Sequence, residues 1–183
     1  MTIYELKPKR PFRRIDQKDI GKVFGSTDKL MNRITLKDFY NYSKIPNQDA
    51  IVLSIGGEIV VAITIQQISF KDLLQEYCGD AVGMPKKWEL NEDDKCAYID
   101  YLNKNSKSKH ASDRISYGYF TLTEAINYCR KLSVKAVFLF SDGTDPDNLF
   151  NKFYKYMGFV KKSKRYFDAT WGGDLILTML SLV

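Results

Sequence analysis

The strongest constraint on the fold is a pair of runs rich in β-branched residues, at positions 50–55 and 58–67, which flank Gly56 and Gly57. Val, Ile and Thr favour strands because their branched side chains pack well on a pleated sheet. A two-residue Gly-Gly connection supplies the positive φ angles that a tight hairpin turn requires. The sequence therefore predicts a β-hairpin at this point of the chain.

The second half of the sequence predicts a helix followed by a strongly apolar strand. Apolar residues at 122–132 fall on one face of a 3.6-residue period, and Thr121 with Glu124 forms a capping-box pattern at the start. Residues 135–141 (KAVFLFS) then contain a continuous apolar run. Such a run is typical of a central strand that is covered on both faces.

The remaining segments complete an alternation of strands and helices. Asp145 and Pro146 suit the start of a second helix, which is expected to end at Gly158. Further strands are expected at 2–6, 95–102, 159–167 and 174–183. Residues 17–42 have helical spacing with a break near 25–26, and residues 71–94 are expected to form a mainly irregular connection with one helical turn. A hairpin followed by β-α-β units predicts an α/β (α+β) domain with a mixed sheet and helices on both faces. No repeat or linker divides the sequence, so residues 1–183 are expected to form a single domain.

The cysteine and histidine content excludes several kinds of site. Cys78, Cys96 and Cys129 form no CxxC pair, so we expect reduced, mostly buried thiols and neither a disulfide framework nor a zinc site. His110 is the only histidine and lies in a polar stretch, which predicts a solvated loop residue. No serine lies in a GxSxG motif. The sequence therefore predicts no metal site and no serine-hydrolase site.

The charge of the chain bears on its partners. The formal net charge of +6 favours an anionic partner. Basic residues cluster at 7–14 and, with aromatic residues between them, at 152–165. This interleaving suits the phosphates and bases of a nucleic acid such as tRNA, and a solvated helix face is the alternative explanation. Apolar runs are far shorter than the roughly 20 residues of a membrane helix, and a signal-peptide pattern is lacking, so we expect a cytoplasmic protein with no membrane partner.

A pattern that resembles a phosphate-binding loop begins at Arg114. The segment RISYGYFTL, from Arg114 to Leu122, resembles the R-x-x-G-x-G/A-x-x-L loop of the GNAT superfamily of acyl-CoA N-acyltransferases, with Tyr117 and Tyr119 at the two glycine positions. Any residue supplies a backbone N–H, so the tyrosines do not abolish such a site. The resemblance implies a degenerate loop that binds the pyrophosphate of acetyl-CoA, formed by Arg114, Ile115, Tyr117, Gly118, Tyr119 and Phe120. An ordinary strand-to-helix loop is the alternative.

A second match lies at residues 149–159, LFNKFYKYMGF, which resembles the family's FYEKLGF helix end. The matching positions are Phe153, Tyr154, Met157, Gly158 and Phe159. The resemblance implies that Tyr154 is the general acid that protonates the departing thiolate, and a tyrosine packed in the core is the alternative. It also implies that Asp147 contacts the cofactor arm, where the alternative is a first-turn carboxylate favoured by the helix dipole.

The resemblance extends over the topology from about residue 50 to the end of the chain and implies a mostly antiparallel GNAT-like sheet. Asp100 is the candidate general base, because a carboxylate in an apolar strand costs free energy unless it has a role or a partner. An outward or lysine-paired aspartate is the alternative. The implied function is N-acetyl transfer from acetyl-CoA to a primary amine. A non-catalytic module of the same fold that binds nucleic acid or an acidic protein is the alternative function, and the identity of the amine, the acyl group and the oligomeric state, a dimer included, stay open.

Overall fold

A computed structural model describes residues 12–25, 34–78, 89–111, 116–143, 149–161, 163, 166–168 and 173–182. The chain forms two compact units, one made of Met1–Thr64 with Tyr101–Ala125 and the other of Ile65–Asp100 with Ile126–Val183. The single domain expected over 1–183 stays a prediction. Within the described residues, no helix has the length and apolar character needed to cross a membrane.

The first unit contains the predicted hairpin. Strands β2 (Gln48–Ile55) and β3 (Glu58–Ser69) are joined by Gly56 and Gly57, whose φ angles are 57° and 82°. Two consecutive positive φ angles are typical of a type I′ turn, so the prediction is confirmed. Strand β1 (Phe12–Arg14) pairs antiparallel with β2, and strand β5 (Leu102–Lys104) pairs antiparallel with β3.

Helices cover both faces of these strands. Helix α1 (Leu36–Tyr42) buries Leu36 and Phe39 in a cluster with Ile15, Ala50, Val52, Ile59 and Ala62. The opposite face buries Leu53, Val60 and Val61 against Tyr117, the first residue of helix α3 (Tyr117–Lys131). The aliphatic residues of the hairpin therefore form the core of this unit.

Among the described residues of 17–42, the predicted helical spacing gives a 3₁₀ turn near the start and an α-helix at the end. A 3₁₀ turn forms at Gln17–Asp19, and α1 begins after Thr35. The Thr35 N–H donates to Asp38 Oδ2 at 2.6 Å, while Thr35 Oγ1 accepts from the Asp38 N–H at 3.4 Å. This capping box starts a separate helix, and the glycine at position 21 disfavours helix after the 3₁₀ turn. Residues 26–33 lie outside the described part of the chain.

A fully buried carboxylate holds the 3₁₀ turn against β1. Arg13 donates to both Asp19 oxygens, at 2.6 and 2.8 Å, and Lys22 donates to Oδ1 at 2.9 Å. The backbone N–H of Asp16 donates to Oδ2 at 2.9 Å. Burial alone would raise the pKa of Asp19, but the hydrogen bonds from Arg13, Lys22 and Asp16 outweigh burial and hold that pKa well below its usual range.

Asp19 is expected to make the stability of the protein pH-dependent. Because its folded-state pKa lies below the unfolded value of about 3.9, its contribution is present above that pH and is lost as the pH falls. We expect Asp19→Asn to lower the free energy of unfolding at pH 7 by about 1–3 kcal/mol and to weaken its decline below about pH 4. Urea denaturation at pH 7 and pH 3 measures both effects. Asp93→Asn removes the same charge from an exposed position and is the control; equal effects of the two substitutions would contradict the assignment.

The second unit surrounds an apolar strand. Its elements are α2 (Phe70–Leu73) with a π-helical turn at Leu74–Cys78, β4 (Lys95–Ile99), β6 (Ala136–Asp142), α4 (Leu149–Tyr156), β7 (Val160–Lys161), β8 (Tyr166–Asp168) and β9 (Gly173–Ser181). The strands lie in the order β3, β4, β6, β9, β7, and β8 also pairs with β9. The pair β4–β6 is parallel, whereas β9 runs antiparallel to β6, β7 and β8. The predicted α/β class and mixed, mostly antiparallel sheet are confirmed.

Strand β6 is covered on both faces, as the unbroken apolar run predicts. Phe138 is fully buried and stacks with Phe70 of α2 at a centroid distance of 6.0 Å. Val137 and Leu139, which point to the opposite face by strand alternation, are at most 2% exposed. Helix α4 packs against β6, and α2 packs against β4.

Several predicted boundaries differ from the structure. The strand predicted at 95–102 is interrupted at Asp100 and Tyr101, because the Tyr101 N–H donates to Thr64 Oγ1 at 2.9 Å instead of continuing a regular ladder. The segment 159–167 contains two short strands, β7 and β8, and the connection at 71–94 begins with the helical turns of 70–78. The strand at 174–183 is confirmed as β9. The strand predicted at 2–6 and the helix start at Asp145 lie outside the described residues.

Candidate functional site

Helix α3 begins five residues earlier than its Thr121–Glu124 pattern predicts. The carbonyl oxygen of Ser116 accepts from the Phe120 N–H at 3.2 Å, so Ser116 is in the N-cap position. Thr121 lies inside the helix, where its hydroxyl donates to the carbonyl oxygen of Tyr117 at 2.8 Å. The predicted capping box is therefore wrong. The first turn of α3 consists of Tyr117, Gly118, Tyr119 and Phe120.

The two tyrosines at the glycine positions of the motif have different environments. Tyr117 is 6% exposed and packs with Leu53 and Val61, so its ring turns into the core. Tyr119 is half-buried, and its ring contacts the exposed ring of Phe120 edge to face at 5.8 Å. A Cβ atom placed on Gly118 would meet nothing within 4 Å. The first-turn N–H groups of a helix have no acceptor within the helix, so this turn has the chemistry expected of an anion site.

His110 is not the solvated loop residue that the sequence predicts. Its ring contacts Tyr117 edge to face at 6.3 Å, and its side chain is half-buried. The polar segment around it therefore folds back on the start of α3. Three of the predicted site residues, Arg114, Ile115 and Asp147, lie outside the described residues.

In the second unit, the parallel pairing of β4 with β6 ends before β6 does. Their ladder runs from Cys96 and Ala136 to Ile99 and Leu139. Strand β6 continues to Asp142, still paired with β9, while β4 ends at Ile99. Asp100 follows directly, half-buried and engaged with other groups of the chain. The predicted general base thus lies where β4 ends, not inside a continuous strand.

A groove of about 430 Å³, the α4 groove, lies in the same unit. It is lined by Ser141, Asn151, Tyr154, Lys155, Gly158, Phe159, Val160, Lys161, Ile176 and Thr178. The two hydroxyl groups from the sheet that line this groove form hydrogen bonds within the protein. Ser141 Oγ donates to the Ile176 carbonyl at 3.3 Å, and Thr178 Oγ1 donates to the Leu139 carbonyl at 3.1 Å. The sequence singles out only Tyr154 as a functional residue of this groove.

Tyr154 is held by aromatic neighbours. Its ring lies 5.4 Å from that of Phe153 and 6.0 Å from that of Phe159. Gly158, with φ of 91°, ends the helix as predicted and allows the chain to turn so that Phe159 packs back. Burial raises the pKa of the Tyr154 hydroxyl to about 12. In the described part of the chain no group forms a hydrogen bond with this hydroxyl. With its raised pKa, the phenol of Tyr154 is protonated at neutral pH.

Two of the three cysteines have environments that make them unreactive. Cys96 and Cys129 are free, buried thiols, and burial raises the pKa of each to about 12. Thiols with such pKa values are poor nucleophiles at neutral pH. Among the residues that the structure describes, no group of three or more His, Cys, Asp or Glu side chains could hold a metal ion.

The structure is similar to solved acetyltransferases over almost its whole length. The NatC complex bound to Gag peptide and CoA gives a TM-score of 0.60 at 14% identity, covering 94% of this chain and 98% of that one. A GNAT-family acetyltransferase from Streptococcus pneumoniae gives 0.57 at 14% identity, covering 94% and 98%. The ribosomal-protein-S18-alanine N-acetyltransferase from Escherichia coli gives 0.61 at 13% identity, covering 93% and 92%. No family model and no curated protein matches the sequence.

These similarities assign the fold: the chain has the GNAT acetyltransferase fold. The two sequence motifs lie at the start of α3 and along α4. These helices accompany the parallel pair β4–β6 and the strand β9, which lies between β6 and β7. The resemblance seen in residues 114–159 is thereby confirmed at the level of the fold.

Proposed function

We propose that this protein is an acyl-CoA-dependent N-acyltransferase that transfers an acetyl group from acetyl-CoA to a primary amine. The observation that carries the proposal is the position of Tyr154, which lines the α4 groove and occupies the motif position that the GNAT resemblance assigns to the general acid. The GNAT fold supports it. The NatC neighbour, whose structure contains CoA, supports coenzyme A as the cofactor.

The reaction uses few protein groups. The amine nitrogen attacks the thioester carbonyl carbon, the carbon–sulfur bond breaks, and the thiolate takes a proton from Tyr154. Asp100, or water, accepts the proton that the amine loses. Backbone N–H groups of β4 polarise the carbonyl, and binding of both substrates supplies much of the rate enhancement by proximity. A phenol with a pKa of about 12 stays protonated between turnovers at neutral pH.

We place the pyrophosphate of acetyl-CoA at the first turn of α3. There the N–H groups at 117–119 and the positive end of the helix dipole favour an anion. The ring of Tyr117 turns into the core, so it leaves the backbone of this turn accessible. Arg114 and Ile115 precede the turn in sequence and are proposed to complete the site, and Asp147 is proposed to contact the cofactor arm. Because the proposal needs no secreted or membrane component, we expect the protein to act in the cytoplasm.

Binding of acetyl-CoA tests the proposal. We expect calorimetric titration to give a dissociation constant well below 1 mM, and Arg114→Ala to weaken binding about tenfold or more through loss of a charge-assisted phosphate contact. Arg130→Ala is the matched control, because it removes the same charge from the last turn of α3.

Absence of binding at millimolar acetyl-CoA would contradict the proposed function and favour a non-catalytic module. In that case the basic residues at 152–165 would be the first place to test nucleic-acid binding. Equal losses from Arg114→Ala and Arg130→Ala would instead show that only the overall charge attracts the cofactor, and would remove Arg114 from the site.

A further inference from the structure

The α4 groove lies between one face of a helix and one face of the sheet. Asn151, Tyr154 and Lys155 line it from α4, at the i, i+3 and i+4 spacing that places residues on the same side of a helix. From the sheet, Lys161 of β7 pairs with Thr178 of β9, and directly opposed residues of an antiparallel pair share a face. The groove therefore receives one lysine from the helix and one from the sheet.

The described residues give this groove a positive charge. Those that line it include Lys155 and Lys161 and no aspartate or glutamate. Both lysines are exposed, and the ion pairs found in the described part of the chain involve other basic side chains. The hydroxyl groups of Ser141 and Thr178 are used in hydrogen bonds within the protein. The charged groups that these lining residues offer to a ligand are therefore two ammonium groups, which favour an anion.

The groove is larger than an acetyl group needs. Its volume is about 430 Å³. A cavity of about 150 Å³ is enough to hold benzene, which has more heavy atoms than an acetyl group. Phe159, Val160 and Ile176 give the groove apolar walls, which suit the methylene groups of a short chain. An occupant that matches the groove thus has an apolar middle and an anionic end.

The position of Tyr154 indicates which part of the substrates lies here. In the proposed reaction the sulfur of the thioester takes a proton from this hydroxyl, so the sulfur lies within hydrogen-bond distance of the hydroxyl at that step. The acyl carbon is bonded directly to the same sulfur, and the acyl group therefore lies at the groove. The acceptor amine suits the groove less well, because Lys155 and Lys161 repel its ammonium form.

We propose that the α4 groove binds the acyl group of the donor, and that Lys155 and Lys161 select an acyl chain that ends in a carboxylate, as in succinyl-CoA. The inference rests on the proposed function and extends it to acyl groups larger than acetyl. The terminal carboxylate accepts charge-assisted hydrogen bonds from the two ammonium groups and takes no part in the bond changes. The amine still attacks the thioester carbonyl carbon, the carbon–sulfur bond breaks, and the thiolate of CoA takes the proton of Tyr154.

The experiment compares succinyl-CoA with butyryl-CoA, whose acyl chain has the same number of carbon atoms but no charge. With butylamine as the fixed acceptor, the ratio of kcat/KM for succinyl-CoA over kcat/KM for butyryl-CoA should be about ten in the native protein. Lys155→Met and Lys161→Met each remove one ammonium group and should lower this ratio about threefold, and the double substitution should abolish the preference. Lys161→Arg keeps the charge and should keep the ratio.

Lys152→Met is the matched control. Lys152 is exposed on the same helix and is not among the described residues that line the groove. Its substitution removes the same charge and should leave the ratio unchanged. Because the two groove lysines are exposed, the native preference for succinyl-CoA should also decrease as the salt concentration rises.

A native ratio that does not exceed unity, or equal decreases of the ratio in Lys152→Met and Lys161→Met, would overturn the inference and leave N-acyl transfer intact. Calorimetric titration separates the inference from the proposed function. If the native protein transfers no acyl group to a panel of primary amines, but binds succinyl-CoA more tightly than butyryl-CoA and loses this preference in Lys161→Met, the groove assignment stands and the acyltransferase function fails.

Discussion

Replacing Tyr154 by phenylalanine is expected to lower kcat for acetylation of a model amine about 100-fold, which is within the range of general acid catalysis. The substitution keeps the ring and its contacts with Phe153 and Phe159, and removes only the hydroxyl. Because that hydroxyl forms no hydrogen bond with the described residues, the free energy of unfolding should change by less than about 1 kcal/mol. Affinity for acetyl-CoA should stay nearly unchanged.

The pH dependence adds a second test of the same residue. Since burial raises the pKa of Tyr154 to about 12, the phenol is protonated over the usual assay range. The loss in Tyr154→Phe should therefore be uniform below about pH 11 and should not shift any limb of the pH–rate profile. Tyr156→Phe is the matched control, because Tyr156 lies on the same helix and is 79% exposed. It should leave kcat unchanged.

Two outcomes would contradict this role. Unchanged turnover in Tyr154→Phe would remove the hydroxyl from the mechanism. A decrease of more than about 1 kcal/mol in the free energy of unfolding would show that the hydroxyl has a structural partner, and would favour the tyrosine packed in the core.

The parts of the fold that the sequence predicts well are those that local chemistry determines. The hairpin follows from two glycines that adopt positive φ angles between β-branched runs, and β6 follows from an apolar run long enough to be buried on both faces. The end of α4 follows from Gly158, whose φ is 91°. In each case the residues near one point of the chain are sufficient to select the conformation.

The boundaries that the sequence predicts wrongly depend on contacts with distant residues. Thr121 and Glu124 satisfy a capping pattern, but Tyr117 is pulled into a core formed by Leu53 and Val61, and the helix starts there instead. The interruption after β4 depends on the hydroxyl of Thr64, which lies far away in sequence from Tyr101. Such tertiary contacts override local patterns that are otherwise sound.

The candidate site, like the fold, can be predicted from the sequence only in part. Tyr154 and the first turn of α3 can be proposed from motifs, because helix ends have recognisable sequence signatures. The orientation of Tyr117 cannot, because its ring is buried against Leu53 and Val61, which lie far away in the sequence.

Tyr117→Ala is expected to have the largest effect on stability, even though its position belongs to a motif for cofactor binding. Its ring is 6% exposed and packs with Leu53, Val60 and Val61, so truncation should lower the free energy of unfolding by about 3–5 kcal/mol. Tyr119→Ala, two residues later on the same turn, removes a half-buried ring and should cost less than about 1 kcal/mol. Urea denaturation of the two variants gives the comparison.

Substitutions of the two tyrosines also show what these residues do at the glycine positions of the motif. If the first turn binds pyrophosphate through its backbone, Tyr119→Ala should leave acetyl-CoA affinity within about tenfold of the native value. Tyr117→Phe, which keeps the buried ring, should do the same. A gain in affinity well beyond tenfold in Tyr119→Ala would mean that this ring blocks the phosphate site, and a comparable loss would mean that the ring itself holds the cofactor. A small stability loss in Tyr117→Ala would contradict its place in the core, because a ring enclosed by three aliphatic side chains cannot be removed without leaving a cavity.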